Sequence, residues 1–440
     1  ISIHQGECFT MKRRIKTGLI TAGIILGLTG CGSQNAERDA AELPAEPGIV
    51  LTVSMPSSEW GGYGKELEKL YQKDHPEIER IEWNLVDRSM YSDLLRVSLA
   101  SQKLPDIICV GFEGSMEEWK DHLLPLEDFT SLEKLPMPYR TMGSLEGTVY
   151  SVPIQIQGIG IAYNRKLLKA AGWDRFPVTK SEFEQLCTDL EDQEIKPMMN
   201  HYKETLLTMA NNLFMLPAMA ADNPAAYMES LLEEERQQEY EENWQALADY
   251  FDLTLRFGNR DSLTTGAPTA RDYFFIEKYA MLNDEGSWLA PVLAKSKPVL
   301  EKDISIGAIP LYEEAERNKL IVEVQALSVV KSSRHPEEAG EFLYWLATSE
   351  EASRYLKETM GCLPVMDMND ESLEGLSPLA AEVKKSINEG ETALDVVNCL
   401  PGELKNKSAE LWGFYLTGDL SREEVLQDYQ SLWKDYMKHN

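Results

Sequence analysis

The sequence predicts an α/β protein with more than one domain, and three observations carry that prediction. From Gly48 onward, short apolar segments alternate with segments whose apolar residues recur at helical spacing, as in strands that alternate with helices. The chain has 440 residues, which is more than one compact core accommodates. With 43% hydrophobic and 26% charged residues, its composition is that of a globular protein. We therefore expect a parallel sheet covered by helices on both faces.

The part of the chain that begins at Gly48 has the order strand, helix, strand, helix, strand, which favours parallel pairing of the strands. Strands are predicted for residues 48–55, 80–86 and 105–112, and helices for residues 64–73 and 90–102. Ligands of such sheets bind beyond the carboxyl ends of the strands. The loops at those ends carry acidic and aromatic residues, so the candidate binding residues there are Glu59, Trp60, Phe112 and Glu113.

A long apolar segment, residues 149–164, favours a buried strand but contains the amides Gln155 and Gln157 and the glycines Gly158 and Gly160. Because side chains in a strand alternate between faces, both amides point to one side. A buried amide without a hydrogen-bond partner costs about 1–3 kcal/mol, so a polar group or water has to meet them. The alternative is that both amides lie at a solvated edge of the sheet.

The remaining segments continue the alternation. Thr179 and Glu182 have the spacing of a capping box at the start of a helix over residues 179–190. Pro336 stands in the first turn of another predicted helix. Further helices are predicted over residues 229–251, 335–352 and 420–437, and strands over residues 303–311 and 321–330.

The N-terminal region predicts export and lipid attachment. A basic segment after Met11, an apolar stretch too short to span a membrane and the sequence Leu-Thr-Gly-Cys ending at Cys31 resemble the signal peptide of a bacterial lipoprotein, over residues 11–30. In such proteins the chain is cut before the cysteine, which is then acylated. Residues 1–10 are interpreted as upstream, non-native sequence, and residues 31–48 as a flexible tether. An ordinary signal peptide followed by a coincidental cysteine is the alternative.

The charge and the missing motifs narrow the function. The net charge is -30, from 73 acidic and 43 basic residues. This excess argues against a nucleic-acid partner, because neutralising phosphates requires clustered basic residues. The sequence also lacks a phosphate-binding loop, a serine-nucleophile motif and the histidine spacing of a zinc site. We expect no catalytic residues, no cofactor and no metal.

The cysteines downstream of Cys31 are widely spaced. Cys109 and Cys187 are expected to be small core residues. A disulfide between Cys362 and Cys399 is compatible with an exported protein, and the sequence leaves that pairing open.

Four segments, in order along the chain, carry a family resemblance. They are "YSDLLRVSLASQKLPDIICV" from Tyr91, "GTVYSVPIQIQGIGIAYNRKLLKAAGW" from Gly147, "YAMLNDEGSW" from Tyr279 and "ALSVVKSSRHPEEAGEFLYWLATSEEASRYLKETMGCLPV" from Ala326. Together they resemble the family 1 extracellular solute-binding proteins of ABC importers, the group that includes maltose-binding protein. The resemblance implies two doubly wound α/β lobes joined by a hinge, the periplasmic-binding-protein-like type II arrangement, with a ligand cleft between the lobes.

On this resemblance, lobe 1 comprises residues 49–157 and 311–355, and lobe 2 comprises residues 158–310 and 356–440. Aromatic rings suit the C–H faces of a sugar, and carboxylates and amides suit its hydroxyls. Core packing is the alternative for the tryptophans. The further residues that the resemblance places toward the cleft are Gln155, Gln157, Asn200, Tyr202, Trp288 and Trp412.

The implied function is a receptor on the outer face of the bacterial cell membrane, monomeric and held by its lipid. It would capture a carbohydrate, in particular an oligosaccharide, and deliver it unchanged to the permease of an ABC importer. Three alternatives stay open. An extracellular lipoprotein glycoside hydrolase would also need aromatic rings and two carboxylates in a cleft. The same fold could bind a solute other than a sugar, or serve a sensor kinase as co-receptor.

Overall fold

The structure, a computed structural model, describes residues 48–56, 60–86, 88–110, 114–126, 132–137, 139–204, 215–221, 223, 226–227, 230, 241–395 and 402–439. Residues Gly48–Asn440 form one compact unit. The strands are β1 Ile49–Met55, β2 Ile78–Leu85, β3 Ile107–Cys109, β4 Ser144–Leu145, β5 Thr148–Val149, β6 Val152–Asn164, β7 Lys196–Met199, β8 Tyr279–Gly286, β9 Ile304–Gly307, β10 Leu320–Val329, β11 Leu363–Pro364 and β12 Thr392–Leu394.

Helices cover this sheet and fill the connections between its strands. In chain order they are α1 Gly64–Tyr71, α2 Arg88–Ala100, α3 Gly114–Trp119, α4 Tyr139–Met142, α5 Arg165–Ala170, α6 Lys180–Asp192, α7 Glu241–Phe257, α8 Ala267–Phe275, α9 Leu289–Ser296, α10 Pro298–Glu301, α11 Pro336–Thr348, α12 Glu350–Arg354, α13 Pro378–Glu389, α14 Gly402–Thr417 and α15 Arg422–His439. None of the helices in the described ranges is both long and apolar enough to cross a bilayer.

The predicted strand–helix alternation at the start of the body is confirmed. β1 pairs in parallel with β2 on one side and with β3 on the other. Leu51, Val53 and Met55 on β1 have no exposed surface, so the strand is central to its part of the core. β3 is shorter than the predicted segment 105–112, and residues 111–113 lie outside the described residues.

The large sheet is mixed rather than parallel throughout. Its strand order is β2-β1-β3-β10-β6-β8-β7, and β10 runs antiparallel to both β3 and β6. β6 also runs antiparallel to β8 and β9, whereas β7 and β8 are parallel. The two antiparallel strands β6 and β10 therefore connect a parallel part at one end of the sheet to the β8–β7 part at the other.

Two hydrophobic clusters lie along this sheet, and β6 contributes to both. The first cluster, cluster 1, contains Val152, Ile154 and Ile156 together with β1, β3 and α11 residues. The second, cluster 2, contains Ile159, Ile161 and residues of α6, α7, α14 and α15. Since alternate residues of a strand face opposite ways, β6 packs one face on cluster 1 and the other on cluster 2. All thirteen residues of β6 are buried.

The predicted helices over residues 179–190 and 420–437 correspond to α6 and α15, whereas the helix predicted over residues 335–352 is divided at Ser349 into α11 and α12. Thr179 caps α6, because its hydroxyl accepts a hydrogen bond from the Glu182 N–H at 3.2 Å. The Glu182 carboxylate accepts from the Val178 N–H at 2.9 Å, which satisfies a second donor just before the helix. Pro336 begins α11 as predicted. Cys187 is buried on α6, while Cys399 lies outside the described residues, so its pairing with Cys362 stays untested.

Candidate ligand-binding site

The two amides of the central strand lie opposite polar residues of β10. Gln155 pairs with Gln325 and Gln157 with Glu323 in the strand register. The Gln155 Nε2 donates a hydrogen bond to the Gln325 Oε1 at 2.8 Å, while the buried Gln155 Oε1 has no partner in the described part of the chain. Neighbouring side chains thus meet part of the hydrogen-bonding need that the sequence raised. A ligand contact of Gln155 or Gln157 stays a prediction.

The glycines that follow the amides mark a change of strand partners. Up to Ile159, β6 pairs with β10, and from Ile159 onward it pairs with β8 and β9. A Cβ on Gly158 would lie 2.6 Å from Val383 Cγ2, and one on Gly160 would lie 2.2 Å from the Gly307 carbonyl oxygen. Only glycine permits these close approaches.

The end of β8 is fastened to β6 one residue beyond Gln157. The Gly158 N–H donates to the Ser287 Oγ at 3.0 Å, and the Ser287 N–H donates to the Gly158 carbonyl at 2.9 Å. This reciprocal pair fixes the start of α9 and therefore the position of Trp288 beside the amide-bearing part of β6.

Among the predicted aromatic residues that the structure describes, Trp288 is the one that is partly exposed. It packs against both hydrophobic clusters. Its Nε1 donates a hydrogen bond to the Glu285 carboxylate at 2.6 Å. The same carboxylate accepts a hydrogen bond from the Arg271 Nε, also at 2.6 Å. The fully buried Glu285 is thereby paired, and the pair holds the indole ring in place.

Asp284 stands next to this pair in an irregular part of β8. The register changes from Gly160↔Glu285 to Ala162↔Leu282, so two residues of β8 face Ile161 alone, as in a β-bulge. Asp284 has φ 52°, a left-handed conformation that non-glycine residues rarely adopt. Burial, and then the nearby Glu285 carboxylate, raise the pKa of Asp284 to about 8.

Two tyrosines anchor the residue before Asp284. The Tyr250 hydroxyl donates to the Asn283 Oδ1, and the Asn283 Nδ2 donates to the Tyr202 hydroxyl oxygen at 3.2 Å. The Tyr202 hydroxyl in turn donates to the Thr254 Oγ1 at 2.8 Å. Burial raises the pKa of both tyrosines well above the ordinary range, so both stay neutral. Tyr202, a predicted binding residue, is thus a fully buried support of β8.

Asn200, predicted with Tyr202, belongs to the same buried network. Its Nδ2 donates to the Thr254 carbonyl and its N–H donates to the Asn259 Oδ1, each at 2.7 Å. Its Oδ1 is buried and unpaired among the described residues. Asn200 is therefore part of the buried support, and a ligand contact of this residue stays a prediction.

Trp60 and Trp412 have no exposed surface, as expected if these tryptophans pack in the hydrophobic core. The Trp60 ring lies 6.0 Å from that of Trp83 in cluster 1, and the Trp412 ring lies 5.6 Å from that of Phe251 in cluster 2. In this conformation neither ring offers a face to a ligand, and a ligand contact of either stays a prediction. Four further predicted residues lie outside the described residues: Glu59, Phe112, Glu113 and the lipidation site Cys31.

Sequence reasoning missed the polar residues around Trp288. Asp284 and Glu285 directly precede the Gly-Ser-Trp sequence, and Arg271 lies on the helix before β8. Two consecutive acids in an otherwise apolar strand were the available signal. The resemblance drew attention to the tryptophan alone.

The arrangement offers one partly exposed indole ring, a neighbouring acid and a row of amides on β6. Such a set matches a ligand that has apolar faces and several hydroxyl groups. No cluster of three or more potential metal ligands occurs in the described ranges.

Known proteins share this sequence pattern and this fold. The sequence profile of the family "Bacterial extracellular solute-binding protein" matches residues 58–353. The multiple sugar-binding protein of Streptococcus mutans is 21% identical over 395 residues, covering 84% of this chain and 87% of that protein. The melibiose/raffinose/stachyose-binding protein MelE of Bacillus subtilis is 21% identical over 344 residues, covering 76% and 78%.

Solved structures agree with this assignment at the level of the fold. A chitin oligosaccharide binding protein has a TM-score of 0.71 and 18% identity, and the match covers 89% of this chain and 99% of that one. RafE in complex with raffinose has a TM-score of 0.70 and 18% identity, covering 89% and 100%. The two-lobed α/β fold expected from the sequence is thus confirmed, and the chain belongs to the family of bacterial extracellular solute-binding proteins.

Proposed function

We propose that the protein captures an oligosaccharide outside the cytoplasmic membrane and delivers it to an ABC importer. The observation that carries this proposal is Trp288, a partly exposed ring packed against both hydrophobic clusters and hydrogen-bonded to Glu285. A ring in that position can lie against the C–H face of a sugar while acids and amides bind its hydroxyls. The sugar-binding relatives, matched over most of their length, support the same ligand class.

Capture is a closing of two lobes around the sugar. β6 runs through the proposed boundary between residues 157 and 158 and changes its partners at Gly158–Gly160, so this is where a hinge would bend. A ligand favours the closed state only through contacts that the open state lacks, which means that it has to touch both lobes. The lobe boundaries proposed are residues 49–157 with 311–355, and 158–310 with 356–440.

The receptor works as a monomer held at the membrane by the lipid on Cys31. Its acidic body is repelled by an anionic leaflet, so attachment depends on the lipid rather than on charge. The closed complex presents a surface to the permease, and the sugar passes on without a bond being broken. The sugar recovered after prolonged incubation with the protein is therefore chemically unchanged, whereas a glycoside hydrolase would convert it.

A thermal-shift screen tests the proposed ligand class. The panel contains raffinose, stachyose, melibiose, a chitin trisaccharide and a xylan trisaccharide. A sugar at 100 times its Kd stabilises the native state by about 2.7 kcal/mol and raises Tm. Trp288→Ala should lose that shift, while Trp173→Phe, outside the candidate site, should keep it. If no sugar of the panel moves the Tm of the wild-type protein, oligosaccharide capture is wrong.

A further inference from the structure

Of the two adjacent acids beside Trp288, only one is available for a ligand. Glu285 has no exposed surface, and its carboxylate oxygens already accept hydrogen bonds from Arg271 and Trp288. The neighbouring Asp284 side chain is also buried, with 8% of the residue exposed. Its carboxyl makes no hydrogen bond to any residue that the structure describes. Its carboxyl oxygens are not among the fully enclosed polar atoms that lack a partner, so solvent, or a ligand hydroxyl in its place, can reach them.

The backbone of Asp284 adds a second sign of function. Among the described non-glycine residues with positive φ, it is the buried one. The strain is imposed from both sides, since the Asn283 side chain is held by Tyr250 and Tyr202, and the chain after Glu285 is fastened to Gly158 through Ser287. Strained, over-determined residues occur preferentially at binding and active sites. Glycine or asparagine would adopt this conformation more easily.

We infer that the Asp284 carboxyl is a ligand-contacting group that binds a hydroxyl of the captured carbohydrate. This inference rests on the proposed function and names the acid that the sequence motif left unassigned. It requires the carboxyl to reach the same ligand as the Trp288 ring, which lies four residues farther along the chain.

The protonation states of Asp284 and its neighbours favour a ligand hydroxyl over a cation as the group that the Asp284 carboxyl binds. The charged group that acts on Asp284 is Glu285 on the same strand, while Tyr202 and Tyr250 on neighbouring elements stay neutral. Arg271, the nearby cation, is already bound to Glu285. Because its pKa is raised to about 8, Asp284 keeps its proton at neutral pH. A protonated carboxyl both donates and accepts, as a sugar hydroxyl does.

Three variants test the inference by calorimetric titration at pH 7. The ligand is whichever of raffinose, stachyose, melibiose, the chitin trisaccharide and the xylan trisaccharide binds the wild-type protein most tightly. Asp284→Gly removes the carboxyl and relieves the strain, so its Kd should rise at least tenfold while its Tm does not fall. Asp284→Asn keeps a donor and an acceptor and should bind more tightly than Asp284→Gly. Glu194→Gly relieves a left-handed residue at an exposed position and should leave the Kd unchanged.

The outcomes separate the inferred role of Asp284 from the proposed capture of an oligosaccharide. Weaker binding by Asp284→Gly with an equal or higher Tm supports the inference. An unchanged Kd for Asp284→Gly overturns it while leaving oligosaccharide capture intact. A Tm several degrees below that of Glu194→Gly marks Asp284 as a structural residue and also overturns it. If none of the five sugars binds the wild-type protein, the proposed function fails and takes the inference with it.

Discussion

At the scale of single residues, most polar groups near Trp288 are already hydrogen-bonded to other residues of the protein. Arg271 and Trp288 both donate hydrogen bonds to Glu285, and Asn283 is shared between two tyrosines. Asp284 is left as a buried acid in a strained conformation. Its proton is therefore part of the stability of the folded state.

Asp284 should make stability depend on pH in a direction unusual for an acid. The folded protein keeps this proton up to about pH 8, whereas the unfolded chain releases it near the ordinary pKa of 3.8. Between these values the folded state holds more protons, so the free energy of unfolding falls as the pH rises. Urea unfolding from pH 4.5 to 7.5 should show a smaller fall for Asp284→Asn. The difference is up to about 1.4 kcal/mol per pH unit.

Glu182 supplies a control of opposite sign. Its pKa is lowered by the Arg175 guanidinium first and by the Val178 N–H second, so its contribution is present at neutral pH and lost as the pH falls. Glu182→Gln should therefore alter stability near pH 7 and converge with the wild type in acid. If Asp284→Asn keeps the full wild-type slope between pH 4.5 and 7.5, Asp284 is ionised in the folded protein and its assigned protonation is wrong.

The residue scale also shows where sequence reasoning stops. An aromatic residue after Gly-Ser could be named from the motif, but the exposure of Trp288 and the burial of Trp412 could not. Both are tryptophans in apolar surroundings, and only the packing of α14 and α15 against α7 decides that Trp412 is enclosed. The bulge at Asp284 could not be predicted from the sequence either, because it depends on the register between β8 and β6.

At the scale of elements, β6 determines the architecture, since it packs on both clusters and changes neighbours midway. The change occurs at two glycines whose missing side chains leave room for α13 and for the backbone of β9. The sequence predicted this strand and located its amides and glycines. It could not say which elements approach, because those contacts are made with residues more than a hundred positions away.

Gly158→Ala should be destabilising because of α13. The new methyl would lie 2.6 Å from Val383 Cγ2, and overpacking a core typically costs about 1–3 kcal/mol. Chemical denaturation measures this cost. Val383→Ala removes the clashing atom, so in a double-mutant cycle the pair should be more stable than the sum of the single effects predicts. Additive effects would mean that Gly158 is required for its backbone freedom and not for the space it leaves.

At the scale of the whole molecule, the fold class and the order of segments were readable from the sequence, because family motifs recur at fixed places along the chain. The mixed sheet was less readable. A strand such as β10 looks the same whether its partner runs parallel or antiparallel, and its neighbours β3 and β6 are distant in sequence. The position of the hinge is equally difficult to predict, since β6 is continuous through the proposed boundary between residues 157 and 158.

Closure around the sugar is the prediction that belongs to this scale. A ligand gripped by both lobes makes the closed state more compact, so small-angle scattering at saturating sugar should give a smaller radius of gyration than the unliganded protein. Gly158 and Gly160 let β6 exchange neighbours without side-chain obstruction, which keeps the energetic cost of bending low. Trp288→Ala, at the same sugar concentration, should retain the unliganded profile because its affinity is reduced. Glu194→Gly should close like the wild type. Superimposable profiles with and without a tightly bound sugar would refute closure even if binding is confirmed, and the site would then have to be preformed between fixed lobes.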